Sequence, residues 1–295
     1  MKKNIITRRD FLKKTGAAAV AVSALAPLFG GQNVRSKTRV ILIRHKSAAD
    51  KDGNADPKIL EQMLDEAVAK LFGTKTPEEA WKKMIAPADI VGIKTNAWKY
   101  LRTPEELENI LKKRAMNAGV PATNISVDDR GVLKNPVFEK STVLLNARPM
   151  RAHHWAGVGG CLKNYIMFVP KPSDLHPDSC IDLGSVWKLP AVKGKTRLNV
   201  LVMLTPQFNC LGPHHFDKEY TWQYNGLIVG TDPVAVDAVG LRIIEAKRRL
   251  YFKEDSPLRP PAKHIAAAEE KHGIGTANMN NIELVKLGWK DGALI

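Results

Sequence analysis

Residues 89–96 read Asp89-Ile90-Val91-Gly92-Ile93-Lys94-Thr95-Asn96, an apolar run that ends in three polar side chains. A short apolar run bounded by polar residues predicts a buried strand. Helical patterns lie on both sides of it, and further strands are predicted at residues 125–127 and 142–146. This alternation of strands and helices favours a mainly parallel sheet with helices against its faces.

The helices next to this strand begin with one shared signature, at Thr76-Pro77-Glu78-Glu79 and at Thr103-Pro104-Glu105-Glu106. A capping threonine, a proline at the first helical position and a glutamate three residues after the threonine together favour a helix start. We therefore expect the side chains of Thr76 and Thr103 to cap two helices.

The same kind of pattern continues toward both ends of the chain. Residues 40–43 and 198–204 are apolar runs that suit strands covered on both faces, and residues 227–229 form another. Asp232 precedes Pro233, which predicts a capping aspartate and the first residue of a helix. The expected fold class is α/β, with a mainly parallel or mixed central sheet flanked by helices. Residues 32–295 suffice for one such domain or for two tightly joined lobes.

Near the N-terminus, residues 7–13 (Thr-Arg-Arg-Asp-Phe-Leu-Lys) precede an uncharged apolar run from Gly16 to Phe29. This run is shorter than the ~20 residues of a membrane span, and the whole pattern resembles the bacterial twin-arginine (Tat) export signal. We expect residues 1–31 to be that signal, the Tat translocase to be a partner and the periplasm to be the compartment. An amphipathic helix or an uncleaved anchor is the alternative, and membrane contact is expected only through this segment.

The chain is basic, with a formal charge of +15. Residues 1–31 hold six basic side chains and one acidic one, so their removal leaves +10. The basic residues are dispersed and no nucleic-acid-binding motif is present, so a nucleic-acid partner is not expected. The charge favours an anionic small molecule, an acidic partner or an anionic membrane face, with plain solubility as the alternative.

Three cysteines, Cys161, Cys180 and Cys210, are far apart in the sequence. None of their spacings matches a haem or ferredoxin motif, so a self-contained iron–sulfur cluster is not expected. The sequence leaves open whether all three are thiols or two of them form a disulfide.

Several polar residues directly follow the predicted strands. In a parallel sheet, ligands bind beyond the carboxyl ends of the strands. The residues that would meet at this edge are His45, Lys94, Asn96, Asp128, Asp129 and Asn146. We therefore expect a single cleft there.

The densest polar passage runs from Asn146 to Asn164, and we expect it to leave a strand and enter a loop that starts a helix. It holds Arg148, Arg151, His153, Gly159, Gly160 and Lys163. Glycine lets backbone N–H groups approach an anion, cationic side chains add charge, and a histidine can exchange a proton or bind a metal. The passage predicts an anion or metal pocket, and a tight turn with a capping histidine is the alternative.

At this passage the chain resembles the bacterial domain-of-unknown-function family 362, some members of which are joined to ferredoxin-type modules. The family pattern is an asparagine-bearing strand, then lysine-x-histidine, then a glycine turn ending in Leu-Lys-Asn. The matching residues are Asn146, Arg151 (in place of the lysine), His153 and residues 162–164. Residues 91–96 and 230–238 resemble two further family segments, so the resemblance spans about residues 85–245. It implies candidate positions without a reaction, and the absent ferredoxin cysteines mean that it implies no iron–sulfur cluster.

A second histidine group, His214 and His215, follows Cys210. Adjacent histidines on a loop point in different directions and do not easily share one metal ion. One of them could join His153 or Cys210, so the metal candidates are His153, His214 and Cys210. Histidines without a ligand role are the alternative, and His264, on a terminal helix, is expected to face solvent.

Asp232 and Asp237 both lie near one predicted helix start. At this spacing they point in different directions around a helix, so they do not form a paired-carboxylate site. We expect Asp237 to face the cleft and to hold Lys94 or Lys163. The sequence contains no signature of the common hydrolases, kinases or Rossmann dehydrogenases.

Together these patterns favour a periplasmic protein whose cleft binds an anionic ligand or a metal ion. Lys94 and Lys163 would hold the anion, His153 would exchange a proton or bind the metal, and Asp237 would orient a lysine. The other ligand-binding positions would be Asn96, Asn146, Arg151, Gly159, Gly160 and Asn164. Tat export and the family association favour a link to a redox reaction. The alternative is a non-catalytic accessory, chaperone or binding subunit of an exported redox complex, and the sequence identifies no cofactor.

Overall fold

The computed structural model describes residues 37–295. The predicted export signal, residues 1–31, and residues 32–36 lie outside the described residues, so the signal stays a prediction. Residues 37–295 pack as one unit. None of the helices in this range combines the length and the apolar character needed to cross a bilayer.

The strands predicted from apolar runs are confirmed, although some of their bounds differ by a few residues. The strands are β1 (Thr38–Arg44), β2 (Val91–Lys94), β3 (Ile125–Asp128), β4 (Val143–His153), β5 (Gly157–Gly159), β6 (Thr196–Gln207), β7 (Gly226–Gly230) and β8 (Ile282–Gly288).

Helices occupy most of the connections between these strands. They are α1 (Pro57–Phe72), α2 (Pro77–Met84), α3 (Glu105–Asn117), α4 (Pro136–Lys140), α5 (Cys161–Asn164), α6 (Pro177–Cys180), α7 (Pro233–Phe252) and α8 (Lys263–Glu270). Segments of 3-10 helix are Ala122–Asn124, Tyr165–Phe168, Pro172–Leu175, Ile181–Lys188, Lys218–Tyr220 and Met279–Asn281.

The described strands form one mixed sheet in the order β3-β2-β4-β6-β7-β1-β8, with β5 paired to β4. The strands β3, β2, β4 and β6 run parallel, β7 is antiparallel to both of its neighbours, and β8 is parallel to β1. The predicted α/β class with a mixed sheet is therefore confirmed. Because β7 is antiparallel to both β6 and β1, β1 runs in the same direction as β6. The carboxyl end of β1 therefore lies at the same edge of the sheet as those of β2, β3, β4 and β6.

Side chains of the sheet alternate between two cores, one on each face. In β1, Val40 and Leu42 pack in the core that includes α7, whereas Ile41 and Ile43 pack in the core that includes α1, α2 and α3. Successive strand residues point to opposite faces, so a strand covered on both sides needs apolar residues at consecutive positions. This two-sided burial explains the unbroken apolar run in β1.

Two of the three predicted side-chain caps are confirmed. Thr76 and Asp232 accept hydrogen bonds from backbone N–H groups in the first turns of α2 and α7. Thr103 does not cap α3, so that prediction was wrong. Its hydroxyl accepts from the N–H of Asn96 at 2.9 Å and donates to the carbonyl oxygen of Ala147 at 3.1 Å. Buried backbone groups need partners, and this hydroxyl serves two of them between β2 and β4.

The polar passage that begins at Asn146 leaves its strand later than predicted, at the turn of residues 154–156, and reaches the predicted helix, α5, at Cys161. It continues β4 to His153, and every residue of that strand is buried. The strand β6 pairs with β4 over most of its length, and β5 pairs with its last residues. The strand continues because both neighbours supply backbone hydrogen-bond partners.

Candidate functional site

A cavity of about 390 Å³ lies beyond the carboxyl end of β2, against the last part of β4 and α5. Its polar lining includes Asn96, Asp129, Arg148, Arg151, His153 and Lys163. Asn164 and His214 also line the cavity, so it brings together six of the residues that were proposed for the site from the sequence: Asn96, Arg151, His153, Lys163, Asn164 and His214.

Lys94, the last residue of β2, is fully buried and paired with Asp129. Its Nζ donates to Oδ1 of Asp129 at 2.6 Å and to the carbonyl oxygen of Thr95 at 2.7 Å. Burial lowers the pKa of Lys94 to about 8, although the charge of Asp129 opposes this shift. In Asp129, burial acts to raise the pKa, but the charge and hydrogen bond of Lys94 outweigh it and lower the pKa. Lys94 and Asp129 therefore neutralise each other's charge. Lys94 itself is not among the residues that line the cavity.

Three buried asparagines form a chain of side-chain hydrogen bonds beneath the cavity. Nδ2 of Asn164 donates to Oδ1 of Asn146 at 2.8 Å, and Nδ2 of Asn146 donates to Oδ1 of Asn199 at 2.8 Å. The other donor of the Asn146 amide is used by the carbonyl oxygen of Cys161 at 3.1 Å. Asn146 therefore supports the wall of the cavity, whereas the sequence analysis predicted that it binds ligand.

Asp237 holds neither lysine, contrary to the prediction. Its carboxylate accepts hydrogen bonds from the backbone N–H groups of Cys161 at 2.7 Å and Leu162 at 2.8 Å, at the start of α5. Burial raises the pKa of Asp237 to about 7, while these two hydrogen bonds oppose the shift. Gly160 makes room for the carboxylate, because a β-carbon there would lie 2.6 Å from Cγ of Asp237. The N–H groups that we expected to bind an external anion are thus occupied by a carboxylate of the chain itself.

Three buried cationic side chains line the cavity without a carboxylate partner. Arg148, Arg151 and Lys163 are 4%, 7% and 3% exposed. Among residues 37–295, no carboxylate lies within ion-pair distance of any of them. Nε of Arg148 and Nε of Arg151 have no hydrogen-bond partner within the same range. The cavity therefore carries an excess of positive charge.

The pKa values of these three groups reflect their burial. Burial lowers the pKa of Arg148, and it lowers the pKa of Arg151 to about 9, with a further contribution from the charge of Arg148. Burial also lowers the pKa of Lys163 to about 8, and both arginines add to that shift. Each cation thus disfavours the protonated form of its neighbours, as expected for like charges in a site of low dielectric constant.

Arg148 and Arg151 are three residues apart in β4, so regular alternation would direct them to opposite faces of the sheet. A register shift between Pro149 and Arg151 interrupts the pairing with β6, and both arginines line the same cavity. Gly159 leaves space for the first of them, since a β-carbon there would lie 2.8 Å from Nη2 of Arg148. A local irregularity of the sheet therefore brings the two arginines together.

Aromatic rings form other walls of the cavity. The guanidinium of Arg151 lies over the ring of Trp98, 3.9 Å from its centroid. Trp155 stacks on His176 with ring centroids 4.5 Å apart and planes at 7°, and His214 contacts Trp155 edge-on. These rings shield the cations from water and offer a flat apolar surface to a ligand.

His153, the last residue of β4, is held as a neutral ring. Its Nδ1 accepts a hydrogen bond from the backbone N–H of Trp155 at 3.2 Å, so the proton of the neutral ring is on Nε2. Burial holds the pKa of His153 well below its usual value, and Arg151, Lys163 and Arg148 lower it further. His153 can therefore donate a hydrogen bond without adding charge to the site.

Lys163 and Cys180 meet at the inner side of the cavity. Nζ of Lys163 lies 3.6 Å from Sγ of Cys180, and this thiol donates to the carbonyl oxygen of Trp155, also at 3.6 Å. Burial raises the pKa of the Cys180 thiol, although Lys163 opposes the shift. All three cysteines of the chain are free, which answers the question that the sequence left open.

The predicted metal ligands are divided between two cavities. His214 lines the cavity of Lys163, Cys210 lines a neighbouring cavity of about 360 Å³, and His153 lines both. Within residues 37–295, no group of three or more His, Cys, Asp or Glu side chains is arranged to hold a metal ion. Metal binding by these residues stays a prediction from the sequence.

Three other polar residues lie away from the cavity lining. His45 is exposed and accepts a hydrogen bond from the N–H of Ser47. Asp128 accepts from the N–H of Gly131 in a local turn. His264 is fully buried, so the expectation that it faces solvent was wrong.

A larger cavity, of about 720 Å³, opens elsewhere and differs in character. Its cationic lining residues include Lys51, Lys99, Arg102 and Lys218, all of which are exposed. Exposed cations keep their hydration and need no partner. The smaller cavity is therefore the stronger candidate for a functional site.

Four residues at or beneath the cavity belong to no site motif in the sequence: Trp98, Trp155, Cys180 and Asn199. Trp155 follows His153 and His154 directly, so its place near the site could have been inferred from adjacency. Cys180 and Asn199 reach their partners Lys163 and Asn146 across separations of 17 and 53 residues. No local pattern predicts such contacts.

Comparison with known proteins adds one finding. The model of a family described as Domain of unknown function (DUF362) matches residues 118–242. No curated protein and no solved structure gives a significant match. The matched range runs from just before β3 into α7 and holds Arg148, Arg151, His153, Lys163 and Asp237, whereas Lys94 precedes it. The match supports the DUF362 resemblance for residues 118–242, the part of the chain that supplies most of the candidate site.

Proposed function

We propose that the cavity lined by Arg148, Arg151 and Lys163 binds a small anionic molecule. The observation that carries this proposal is that three buried cations share one cavity with no carboxylate within ion-pair distance among the described residues. A buried charge without a partner costs several kcal/mol. Buried guanidinium N–H groups without acceptors add to that cost. An anion in the cavity would supply both the charge and the acceptors.

The lining favours a carboxylate or a phosphate group. A guanidinium presents parallel N–H donors that match two oxygens of such a group, and the cavity holds two guanidinium groups and an ammonium. The volume of about 390 Å³ suits a molecule of metabolite size. Trp98 and Trp155 favour a ligand that also has a flat or apolar part.

Other residues of the site would support this binding in different ways. His153 would donate a hydrogen bond from Nε2, and Asn96 and Asn164 would border the ligand. Lys94 and Asp237 hold the surrounding backbone and side chains in place through Asp129 and the start of α5. In this proposal their contribution to function is indirect.

The N-terminal sequence pattern supports a location for the protein. The twin arginines Arg8 and Arg9, ahead of an apolar run, support export to the periplasm by the Tat translocase, with the signal removed or kept as an anchor. We expect replacement of both arginines by lysine to retain the protein in the cytoplasm, measured by cell fractionation. The link to a redox reaction rests on this route and on the family association, and it stays a prediction.

Titration calorimetry with inorganic phosphate and with sulfate tests the proposal on the full-length chain in a dilute chloride buffer. We expect one anion to bind per chain. Loss of a charge-assisted hydrogen bond costs about 1.5–3 kcal/mol, so Arg148→Met and Arg151→Met should each weaken binding about tenfold or more.

Arg197→Met is the matched control, because Arg197 is exposed and lies outside the cavity lining. It should leave the affinity within about twofold. Absence of binding to both anions, or equal affinities of the Arg148→Met and Arg197→Met variants, would refute the proposed site.

A further inference from the structure

Two buried lysines near the site, Lys94 and Lys163, have different surroundings. Nζ of Lys94 donates to a carboxylate and to a carbonyl oxygen, at 2.6 and 2.7 Å, and Lys94 does not line the cavity. Lys163 lines the cavity, and the hydrogen-bond acceptor of its Nζ among the described residues is Sγ of Cys180, at 3.6 Å. Lys163 is thus the more accessible amine and the less firmly bound one.

The contact with Cys180 orients the amine but does not neutralise it. The thiol donates to the carbonyl oxygen of Trp155 and offers a sulfur lone pair to Lys163. A thiol is a weak and uncharged acceptor, so it gives an ammonium far less stabilisation than a carboxylate does.

The two arginines of the cavity also disfavour the ammonium form of Lys163. With a pKa of about 8, roughly one Lys163 amine in ten is neutral at pH 7, against fewer than about one in a thousand for an ordinary lysine. A neutral amine is the nucleophilic form of lysine, and desolvation next to other cations is a known way to produce it.

We propose that Lys163 forms a Schiff base with an aldehyde or ketone that carries a carboxylate or phosphate group. This inference rests on the proposed function, because Arg148 and Arg151 would hold the anionic group while the amine meets the carbonyl carbon. The aromatic walls formed by Trp98 and Trp155 shield the bond from bulk water.

The step balances without an oxidant or a reductant. The lone pair of Nζ forms the N–C bond, and the carbonyl electron pair moves to oxygen, which takes up a proton as nitrogen releases one. The resulting carbinolamine loses its oxygen as water while nitrogen forms the C=N bond. One amine and one carbonyl compound thus give one Schiff base and one water, and an added proton on nitrogen makes the iminium form.

Reductive trapping tests the inference on the full-length chain. Glyoxylate is the probe, sodium cyanoborohydride reduces the C=N bond, and peptide mass spectrometry locates the carboxymethyl group left on lysine. We expect Lys163 to be modified about tenfold or more faster than Lys94 and the exposed Lys134 at pH 7. The comparison with Lys94, whose pKa is also about 8, separates an accessible amine from one that is merely buried.

Three controls test whether the labelling of Lys163 depends on the anionic group, on Cys180 and on pH. Acetaldehyde, which lacks the anionic group, should label Lys163 about tenfold more slowly than glyoxylate. Cys180→Ser keeps a neutral acceptor beside the amine and should keep the labelling. The labelling rate of the wild-type chain should rise with pH up to about 8, because more of the Lys163 amine becomes neutral.

The outcomes separate this inference from the proposed function. Calorimetric binding of sulfate or phosphate together with no preference for Lys163 would overturn the Schiff base and leave anion binding in place. Labelling that is equal for glyoxylate and acetaldehyde, in a chain that binds neither anion, would overturn both. Labelling of Lys163 that sulfate suppresses is the result that supports both.

Discussion

Replacing Gly160 by alanine tests whether Asp237 holds the start of α5. The new methyl group would lie 2.6 Å from Cγ of Asp237 and closer still to Oδ1. The backbone of Gly160 has φ −132° and ψ −158°, an extended conformation that alanine also adopts. Any destabilisation must therefore come from the contact with the carboxylate rather than from backbone strain.

The size of the effect follows from the geometry. The carboxylate must retreat by about 1 Å to restore an ordinary van der Waals distance. Its hydrogen bonds to the N–H groups of Cys161 and Leu162, now 2.7 and 2.8 Å, would then exceed hydrogen-bond length. Loss of two hydrogen bonds to a charged group costs about 3–6 kcal/mol of stability. Alanine offsets about 0.4–1 kcal/mol of this loss, because it lowers the conformational entropy of the unfolded chain. We expect Gly160→Ala to lower the free energy of unfolding by about 2–5 kcal/mol.

Urea unfolding followed by tryptophan fluorescence measures this loss. Gly212→Ala is the matched control, because nothing lies within 4 Å of a β-carbon at that position; it should change stability by less than about 0.5 kcal/mol. In an Asp237→Ala background the clash disappears, so adding Gly160→Ala should cost almost nothing more. Equal urea midpoints for the two glycine variants, or strictly additive losses in the double variant, would refute this account of Gly160.

Three further predictions concern the buried polar groups. Because the folded-state pKa of Lys163 is about 8 against an ordinary 10.5, the folded chain releases this proton first, and wild-type stability should rise as pH increases from about 8 to 10.5. Lys163→Met should make this rise smaller, while Lys94, whose pKa is also about 8, keeps its own contribution. Without added anion the variant should be more stable at pH 7 by roughly 2–3 kcal/mol in urea unfolding; a wild-type chain at least as stable as this variant would contradict the assigned burial cost. Asp129→Asn leaves Lys94 buried without a carboxylate and should lower the free energy of unfolding by about 3–5 kcal/mol in the same assay. In the double variant with Lys94→Met the loss of stability should be smaller, because the buried charge is gone. Thr103→Val should lower stability by about 1–3 kcal/mol, because two buried backbone groups lose a partner, whereas Thr76→Val, at an exposed cap, should cost about 1 kcal/mol; equal losses in thermal unfolding would argue against the buried role of Thr103.

The layers of the fold could be predicted because they depend on local patterns. The apolar run Val40–Ile43 needs only two-sided burial to become a strand, and Asp232 caps α7 with a contact that reaches two or three residues ahead. Such short-range rules do not depend on where the rest of the chain lies. The mixed sheet with helices on both faces follows from them.

The details of the site could not be predicted from the same rules. Thr76 and Thr103 stand in matching sequence signatures, yet one caps a helix and the other bonds buried backbone from another strand. Polar residues such as Asn146 are stable inside β4 because partners arrive from distant positions, among them Asn199. Both outcomes depend on contacts that form only when the sheet is assembled, so composition and spacing alone do not reveal them.

The strand β1 has its two partners near the other end of the chain: Val40 pairs with Gly230 in β7 and with Leu284 in β8. During translation, β1 leaves the ribosome before every other described strand, and β7 and β8 are the last of these strands to follow. A strand that is apolar on both faces must therefore remain without sheet neighbours while most of the chain is synthesised. Loops of this length are slow to close, and an unpaired apolar strand is prone to aggregate. Nascent or truncated chains that end before β7 are for this reason natural clients for chaperones and proteases.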